Sequence, residues 1–420
     1  MIRFTCSAYP SLRVHRGNNT YIEFANGETY VDFDDAALLR AIDPVDEVGV
    51  ARDNRGVPIT SFPLSDDVVS WYSPVLGMGD GFGNSAERMI LALEKAGQRV
   101  SLEPHIAVSG QTFLDHLRNQ RFEHGAVRVS YCPPSINTPA KHKNQASLGF
   151  CMWEDTVVPP HWNPYLTSVD ALAAPSNFCV DLFRTRLEEL GHPEIPVLLV
   201  PLGVQTDFYA YRRRHTHPNQ CFTFLHCSTS TWDERKGVKQ VISAFREAFT
   251  NGENVKLIVR ARLGQVDTGG DERIDVRIRM ITEQEKLDLL YEAHALVYTS
   301  RGEGQGLIPL EAIATGLPTL CSANTGMLDY QDLMAIPVSC EPEPSRMVLP
   351  PSYESPGYWQ VPRQIEVVLG MRDLFTRYRE HVAFAARAAK KIPNWSYDRS
   401  AIALLEAINV ARDKHRQRTA

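Results

Sequence analysis

Ser300-Arg301-Gly302-Glu303-Gly304-Gln305-Gly306-Leu307-Ile308-Pro309-Leu310-Glu311-Ala312 is the stretch that decides the fold. The apolar residues just before it, 295–298, read as a buried strand, and the apolar segment 307–314 reads as a helix. A strand–loop–helix turn of this kind aims several backbone N–H groups at one point. The helix dipole makes that point favour anions. Gly304 and Gly306 leave room for a ligand to approach the backbone. Glu303 falls in the loop, and Glu311 lies about one turn inside the helix. The two carboxylates can therefore accept hydrogen bonds from hydroxyl-bearing groups on either side of a phosphate.

Outward from this turn, strands and helices alternate. In the second half strands are predicted at 221–227, 255–259, 295–299 and 318–321, with helices at 238–249, 283–292 and 307–315. In the first half strands are predicted at 68–72, 127–131, 148–152, 171–174 and 197–200. A helix at 85–96 carries Met89, Ile90, Leu93 and Ala96 at helical spacing. Such alternation implies parallel sheets. Residues 341–362, rich in Pro, Ser and Tyr, read as a loop, and 364–390 as one long helix. The first 65 residues differ. The apolar–polar alternation from Tyr21 to Phe33 around Asn26-Gly27 predicts a β-hairpin, and 34–42 reads as a short capped helix. The expected division is 1–65, 66–205, 206–392 and a tail at 393–420 that crosses back to the first half.

A chain of 420 residues holds two or three domains and a large core. With 43% hydrophobic and 22% charged residues it reads as a globular protein, not a disordered one. A net charge of −6 argues against a strongly basic nucleic-acid footprint over the whole chain. Eight cysteines without a C-x-x-C pair fit a reducing compartment better than a disulfide framework or a zinc site. The histidines lack metal-ligand spacing, so no metal is expected. The N-terminus lacks a signal-peptide pattern, and no stretch reaches the roughly 18 apolar residues of a membrane span. The expected location is the cytoplasm.

Three further constellations carry chemistry. Arg235-Lys236-Gly237 precedes an amphipathic helix with Val238, Val241, Ile242, Phe245 and Phe249 on one face. Two cations at a helix N-terminus oppose its dipole, and binding a diphosphate would give them a purpose, Arg as a planar fork and Lys as a mobile charge. The glycine-rich segment 77–83 follows a strand and precedes a helix, the setting of a phosphate-contacting loop. Gly149 to Thr156, followed by Pro159-Pro160-His161-Trp162, ends an apolar strand in aromatic and acidic residues. The C-terminal end of a parallel strand is where such sheets place ligands.

Sugar, diphosphate and ribose, the layout of a nucleotide-sugar, match the two-carboxylate turn. Glu303 and Glu311, with Gly306-Leu307 and Leu310-Glu311-Ala312, resemble the donor site of retaining GT-B glycosyltransferases of the family 4 type. The resemblance covers about residues 66–410 and implies two Rossmann-like domains facing a cleft, behind a small β-rich N-terminal extension. It also implies that Glu303 and the amides of Gly304, Gln305, Gly306 and Leu307 contact the donor sugar and phosphates, and that Glu311 contacts the ribose. Lys236 and Arg235 would neutralise the leaving diphosphate, although the family's usual upstream Arg position falls among Cys227, Ser228 and Thr229. Gly79, Gly81 and Gly83 would reach the phosphates from the first domain. Glu154, Asp155 and His161 would line the acceptor side. Gln305 departs from the family, which usually has Phe or Tyr there. No bound cofactor is implied; a UDP- or GDP-sugar is the donor substrate. The N-terminal module resembles hairpin-plus-helix modules in virion proteins of actinobacterial phages. That likeness implies a phage-encoded enzyme in the host cytoplasm, with a virion protein, a hydroxymethylated DNA base or a glycan as acceptor. The other reading of the module is a decoration packed on the first domain. The second reading of the whole chain is a degenerate GT-B module that binds nucleotide or sugar in a structural or assembly role.

Overall fold

The computed structural model describes residues 64–73, 76, 81–103, 114, 117, 124–133, 144–215, 221–349 and 353–419, and the backbone of five N-terminal strands. These are β1 (Ile2–Thr5), β2 (Arg13–Gly17), β3 (Thr20–Glu23), β4 (Glu28–Val31) and β5 (Asp46–Val50). Among the described residues the strands flanking Asn26-Gly27 pair elsewhere than expected: β3 pairs with β2, and β4 pairs with β1. Period-two alternation marks strands but not their partners, and here the preceding segments supply them. The helix predicted at 34–42 lies outside the described residues.

The first half is a six-stranded parallel sheet of β6 (Ser65–Tyr72), β7 (Arg99–Leu102), β8 (Gly125–Tyr131), β9 (Ala146–Phe150), β10 (Ala171–Ala174) and β11 (Val197–Leu199), in the order β11-β10-β9-β8-β6-β7. The second half is β12 (Phe222–Ser230), β13 (Val255–Leu263), β14 (Ile274–Ile278), β15 (Ala295–Tyr298), β16 (Thr319–Ser322) and β17 (Ile336–Val338), in the order β14-β13-β12-β15-β16-β17. Strands buried on both faces read as continuous apolar runs, and β9, β10, β15 and β16 are buried throughout. The second sheet has the doubly wound order in which the strands run outward from a central pair. Its switch point lies between β12 and β15, the place where such sheets bind ligands.

The helices cover both faces of each sheet. They are α1 (Gly81–Lys95), α2 (Asn177–Glu189), α3 (Val238–Ala248), α4 (Glu283–Glu292), α5 (Leu307–Ala314), α6 (Gln364–Thr376), α7 (Tyr378–Ala389) and α8 (Tyr397–Thr419). α3 buries Val241, Ile242 and Phe245 against the second sheet, so its apolar stripe explains the helix. α8 lays Ala401, Leu404, Ala407, Ile408 and Ala411 into the core of the first sheet. The chain thus crosses between the halves twice. The two crossings run side by side, with Val204 N donating to Trp395 O at 2.7 Å.

Three expectations are corrected. The single helix at 364–390 is two, α6 and α7, broken at Arg377 (φ −112°, ψ 30°). Arg377 pairs with Asp373 before the break and Glu380 after it, and no Gly or Pro marks the place. The loop at 341–362 contains two antiparallel ribbons: β18 (Cys340–Pro344) pairs with β21 (Tyr358–Pro362), and β19 (Val348–Leu349) with β20 (Tyr353–Glu354). Two-stranded ribbons have free edges, which tolerate the prolines that argued for a loop. The segment 77–83 is helical from Gly81 onward, so Gly81 and Gly83 belong to the first turn of α1. Gly79 lies outside the described residues.

Candidate functional site

The loop after β15 is built around Glu303. Its Oε1 accepts hydrogen bonds from Lys236 Nζ at 2.6 Å, Ser300 Oγ at 2.6 Å and Tyr298 OH at 2.8 Å. Arg235 Nη1 lies 3.6 Å away. Burial pushes this carboxyl up, but the charges of Lys236 and Arg235 outweigh it and hold the pKa down at about 2. Glu303 is therefore an ionised acceptor at neutral pH. Gly306, at φ 83°, caps α5 in the left-handed region that favours glycine.

The loop after β12 locks onto this one. Glu234–Lys236 forms a 3-10 turn whose second amide is capped, with Asp233 Oδ1 accepting from Arg235 N at 3.0 Å. Arg235 Nη1 donates to Gly302 O at 2.6 Å, and Arg301 N donates to Arg235 O at 2.7 Å. Gly237 has φ 70°, and a side chain there would strike the Thr299 carbonyl. Only glycine lets Lys236 sit this close to the β15 loop. Beneath it, burial holds His226 neutral, with a pKa near 4.

A second network surrounds Glu311 on α5. Lys286 Nζ lies 3.0 Å from Glu311 Oε1, 2.9 Å from its Oε2 and 3.0 Å from Glu283 Oε2. Tyr209 OH donates to Glu283 Oε2 at 2.5 Å, and Asn84 Nδ2 on α1 donates to Glu283 Oε1 at 3.1 Å. Burial raises the Glu311 pKa. Lys286 opposes that, and Glu283 adds to it. Glu283 itself is held below its ordinary range, its burial outweighed by Lys286 and Tyr209. Glu311 Oε2 is buried with Lys286 Nζ as its ionic partner.

These groups wall a cavity of about 400 Å³ at the C-terminal ends of both sheets. Of the residues singled out from sequence, Gly81, Glu154, Arg235, Lys236, Glu303, Gly304, Gln305, Gly306, Leu307 and Glu311 line it. Three do not. Gly83 is buried in the first turn of α1. Asp155 is buried, with Oδ1 accepting from Val157 N at 3.4 Å. His161 sits in the 3-10 turn Pro160–Trp162 beside the Trp162 ring. Only the first acidic residue of the pair 154–155 reaches the cleft, where Glu154 Oε1 is 4.0 Å from Arg235.

Gln305 lines the cavity but spends its amide on the other half of the molecule. Its Oε1 accepts from Leu202 N at 2.5 Å and its Nε2 donates to Leu202 O at 2.8 Å. Sequence reasoning did not single out Asn84, Tyr209, Arg260, Arg262, Glu283 or Lys286, all of which line the cavity. Arg260 and Arg262 could have been found, since they alternate at the C-terminal end of a predicted parallel strand. Lys286 could not, because helical periodicity does not say which polar face looks into a cleft.

Residues 180–354 match the family described as "Family 4 Glycosyltransferase in conflict systems". The alpha-1,3/1,6-mannosyltransferase ALG2 of Homo sapiens is 22% identical over 260 residues, which are 52% of this chain and 60% of that protein. The chain thus spans less than two thirds of that relative. Among solved structures, the sucrose-phosphate synthase of Thermosynechococcus elongatus superposes with a TM-score of 0.57 at 12% identity, covering 81% of this chain and 98% of that one. WaaG, a glycosyltransferase involved in lipopolysaccharide biosynthesis, gives 0.50 at 15% identity, covering 82% and 98%. The fold is GT-B. In sequence the chain is family 4-like. Among the described residues no helix is long and apolar enough to cross a membrane.

Proposed function

We propose that this protein is a glycosyltransferase that moves a sugar from a nucleoside-diphosphate sugar to a hydroxyl acceptor with retention of configuration. The observation that carries the reading is the convergence on Glu303. An ionised carboxylate, two cations and a helix N-terminus share one cavity wall at the switch point of a Rossmann-like sheet. The hydrogen bonds to the Glu303 carboxylate all fall on Oε1, which leaves Oε2 for a hydroxyl of the donor sugar. Lys236, Arg235 and the amides at the start of α5 stabilise the charge that develops on the leaving diphosphate. Glu311 lines the cavity wall beside Lys286, where its carboxylate would accept from a ribose hydroxyl.

In this reading the bond from the anomeric carbon to the phosphate oxygen breaks. A bond from the same carbon to the acceptor oxygen forms on the same face, and the acceptor's proton passes to the departing phosphate oxygen. No separate base is needed. Glu303, with a pKa near 2, orients the sugar and does not donate a proton. Contacts that bridge the halves, Gln305 to Leu202, Asn84 to Glu283 and Asn177 to Asp329, tie the two walls of the cleft together, which would limit the access of water to the reacting carbon.

The test is nucleotide release from a panel of UDP-, GDP- and ADP-sugars by the full chain, with Glu303→Ala and Lys236→Ala as controls. Slow hydrolysis of one donor, lost in both variants, is the expected result. Failure of every such nucleotide to raise the melting temperature would remove the donor-site reading.

A further inference from the structure

The cavity has two differently charged ends, set by the order of the second sheet. Glu303 follows β15, Lys236 follows β12, and Arg260 and Arg262 stand at the end of β13. Three neighbouring strand tops span about 10 Å, the scale of a ribose and its diphosphate. With the sugar at Glu303, the nucleoside end of the donor falls toward β13. Residues two apart on a strand share a face, so Arg260 and Arg262 project together, and both line the cavity.

These arginines differ from the other cations of the site. Arg235, Lys236 and Lys286 each have carboxylate partners. No hydrogen bond or ion pair engages the side chain of Arg260 or Arg262 among the described residues, and Arg260 Nε is buried without a partner. Burial lowers the Arg260 pKa, as expected of a cation short of compensating contacts. Two of the neighbouring side-chain acceptors are already engaged. Glu283 takes Asn84, Tyr209 and Lys286, and Ser228 Oγ donates to Ser230 O at 2.7 Å. The two arginines add side-chain donors to this end of the cavity.

We propose that Arg260 and Arg262 read the nucleobase of the donor and select guanine. The inference rests on the donor-site reading above. Guanine presents two adjacent acceptors, O6 and N7, which match the planar arginine fork. Adenine puts an amino donor in place of O6, so a donor would face a donor. Cytosine has the same defect. Uracil offers O4 alone on that edge.

The experiment is calorimetric binding of GDP, UDP, ADP and CDP to the full chain, to Arg260→Ala/Arg262→Ala and to Arg260→Lys/Arg262→Lys. The lysine variant keeps the charge and removes the fork. The expected result is GDP binding about tenfold or more tighter than ADP and CDP, with both variants binding all four within a few-fold of each other. Lys236→Ala should weaken all four alike, so the phosphate and base assignments fail separately. A wild-type protein that prefers another base, or has no preference, overturns the proposal. So do variants that lose all four ligands by the same factor, because the arginines would then serve the phosphates. Binding of no diphosphate at all overturns the donor-site reading itself, and this inference with it.

Discussion

Glu303 and Glu311 sit on one loop–helix turn, and each is buried beside a lysine at hydrogen-bond distance. Their ionisation is nevertheless pushed in opposite directions. Glu303 gathers Lys236, Arg235 and two hydroxyl donors, and its pKa falls to about 2. Glu311 shares its single lysine with Glu283, so burial and a neighbouring carboxylate win and its pKa rises. Burial alone therefore does not set the state of a carboxylate. The balance of burial against the neighbouring charges and hydrogen-bond donors does. It leaves Glu303 a fixed anion, while the Glu311 pKa is pushed above its ordinary value.

Removing the lysine from each pair should break this comparison unequally. Lys236→Met leaves Glu303 with Arg235 alone and removes a charge aimed at the leaving phosphate. Transfer should fall by about 100-fold or more, mainly in kcat, measured as nucleotide release at saturating donor. Lys286→Met leaves Glu311 and Glu283 facing each other. One of them should protonate, and the main effect should be on donor binding: KM up by about tenfold, with kcat changed less. Equal losses in the two variants would mean that the two lysines serve one function.

The pH dependence sharpens the same contrast. Glu303 is depressed in the folded state, so its contribution to stability is complete above its ordinary value of 4.5. It is lost as pH falls from there through about 2. Glu311 is raised, so its folded form holds a proton more readily than the unfolded chain, and its contribution grows as pH falls toward 4.5. Melting curves from pH 7 to 3 should show Glu303→Gln flattening the acid-side loss and Glu311→Gln flattening the gain. Matching profiles for the two variants would contradict the assignment.

Much of this site was legible beforehand because its signals are local. A strand, a glycine-rich turn and a helix lie contiguous in 295–314, and Lys236-Gly237 stands between a strand and an amphipathic helix. What could not be read was pairing across distance. Lys286 reaches Glu311 from another helix, and Asn84 reaches Glu283 from the other half of the molecule. The break at Arg377 and the ribbons within 340–362 were hidden for a related reason. The first has no Gly or Pro to announce it and the second depends on strand partners, and neither leaves a mark in periodicity.

Gln305 gives the smallest of the expected effects and the most specific one. Its amide ties the Glu303 loop to the Leu202 backbone, next to the strand crossing at Val204. Gln305→Leu keeps the volume but leaves a buried N–H and C=O unpaired, at a cost of about 1–3 kcal/mol in stability. The residue touches the other half of the protein, so donor KM should move only a few-fold. The ratio of donor hydrolysis to transfer should rise, because a cleft that opens more often admits water between departure of the phosphate and arrival of the acceptor. If Gln305 served packing alone, hydrolysis and transfer would fall together, and their ratio would stay where the wild-type protein sets it.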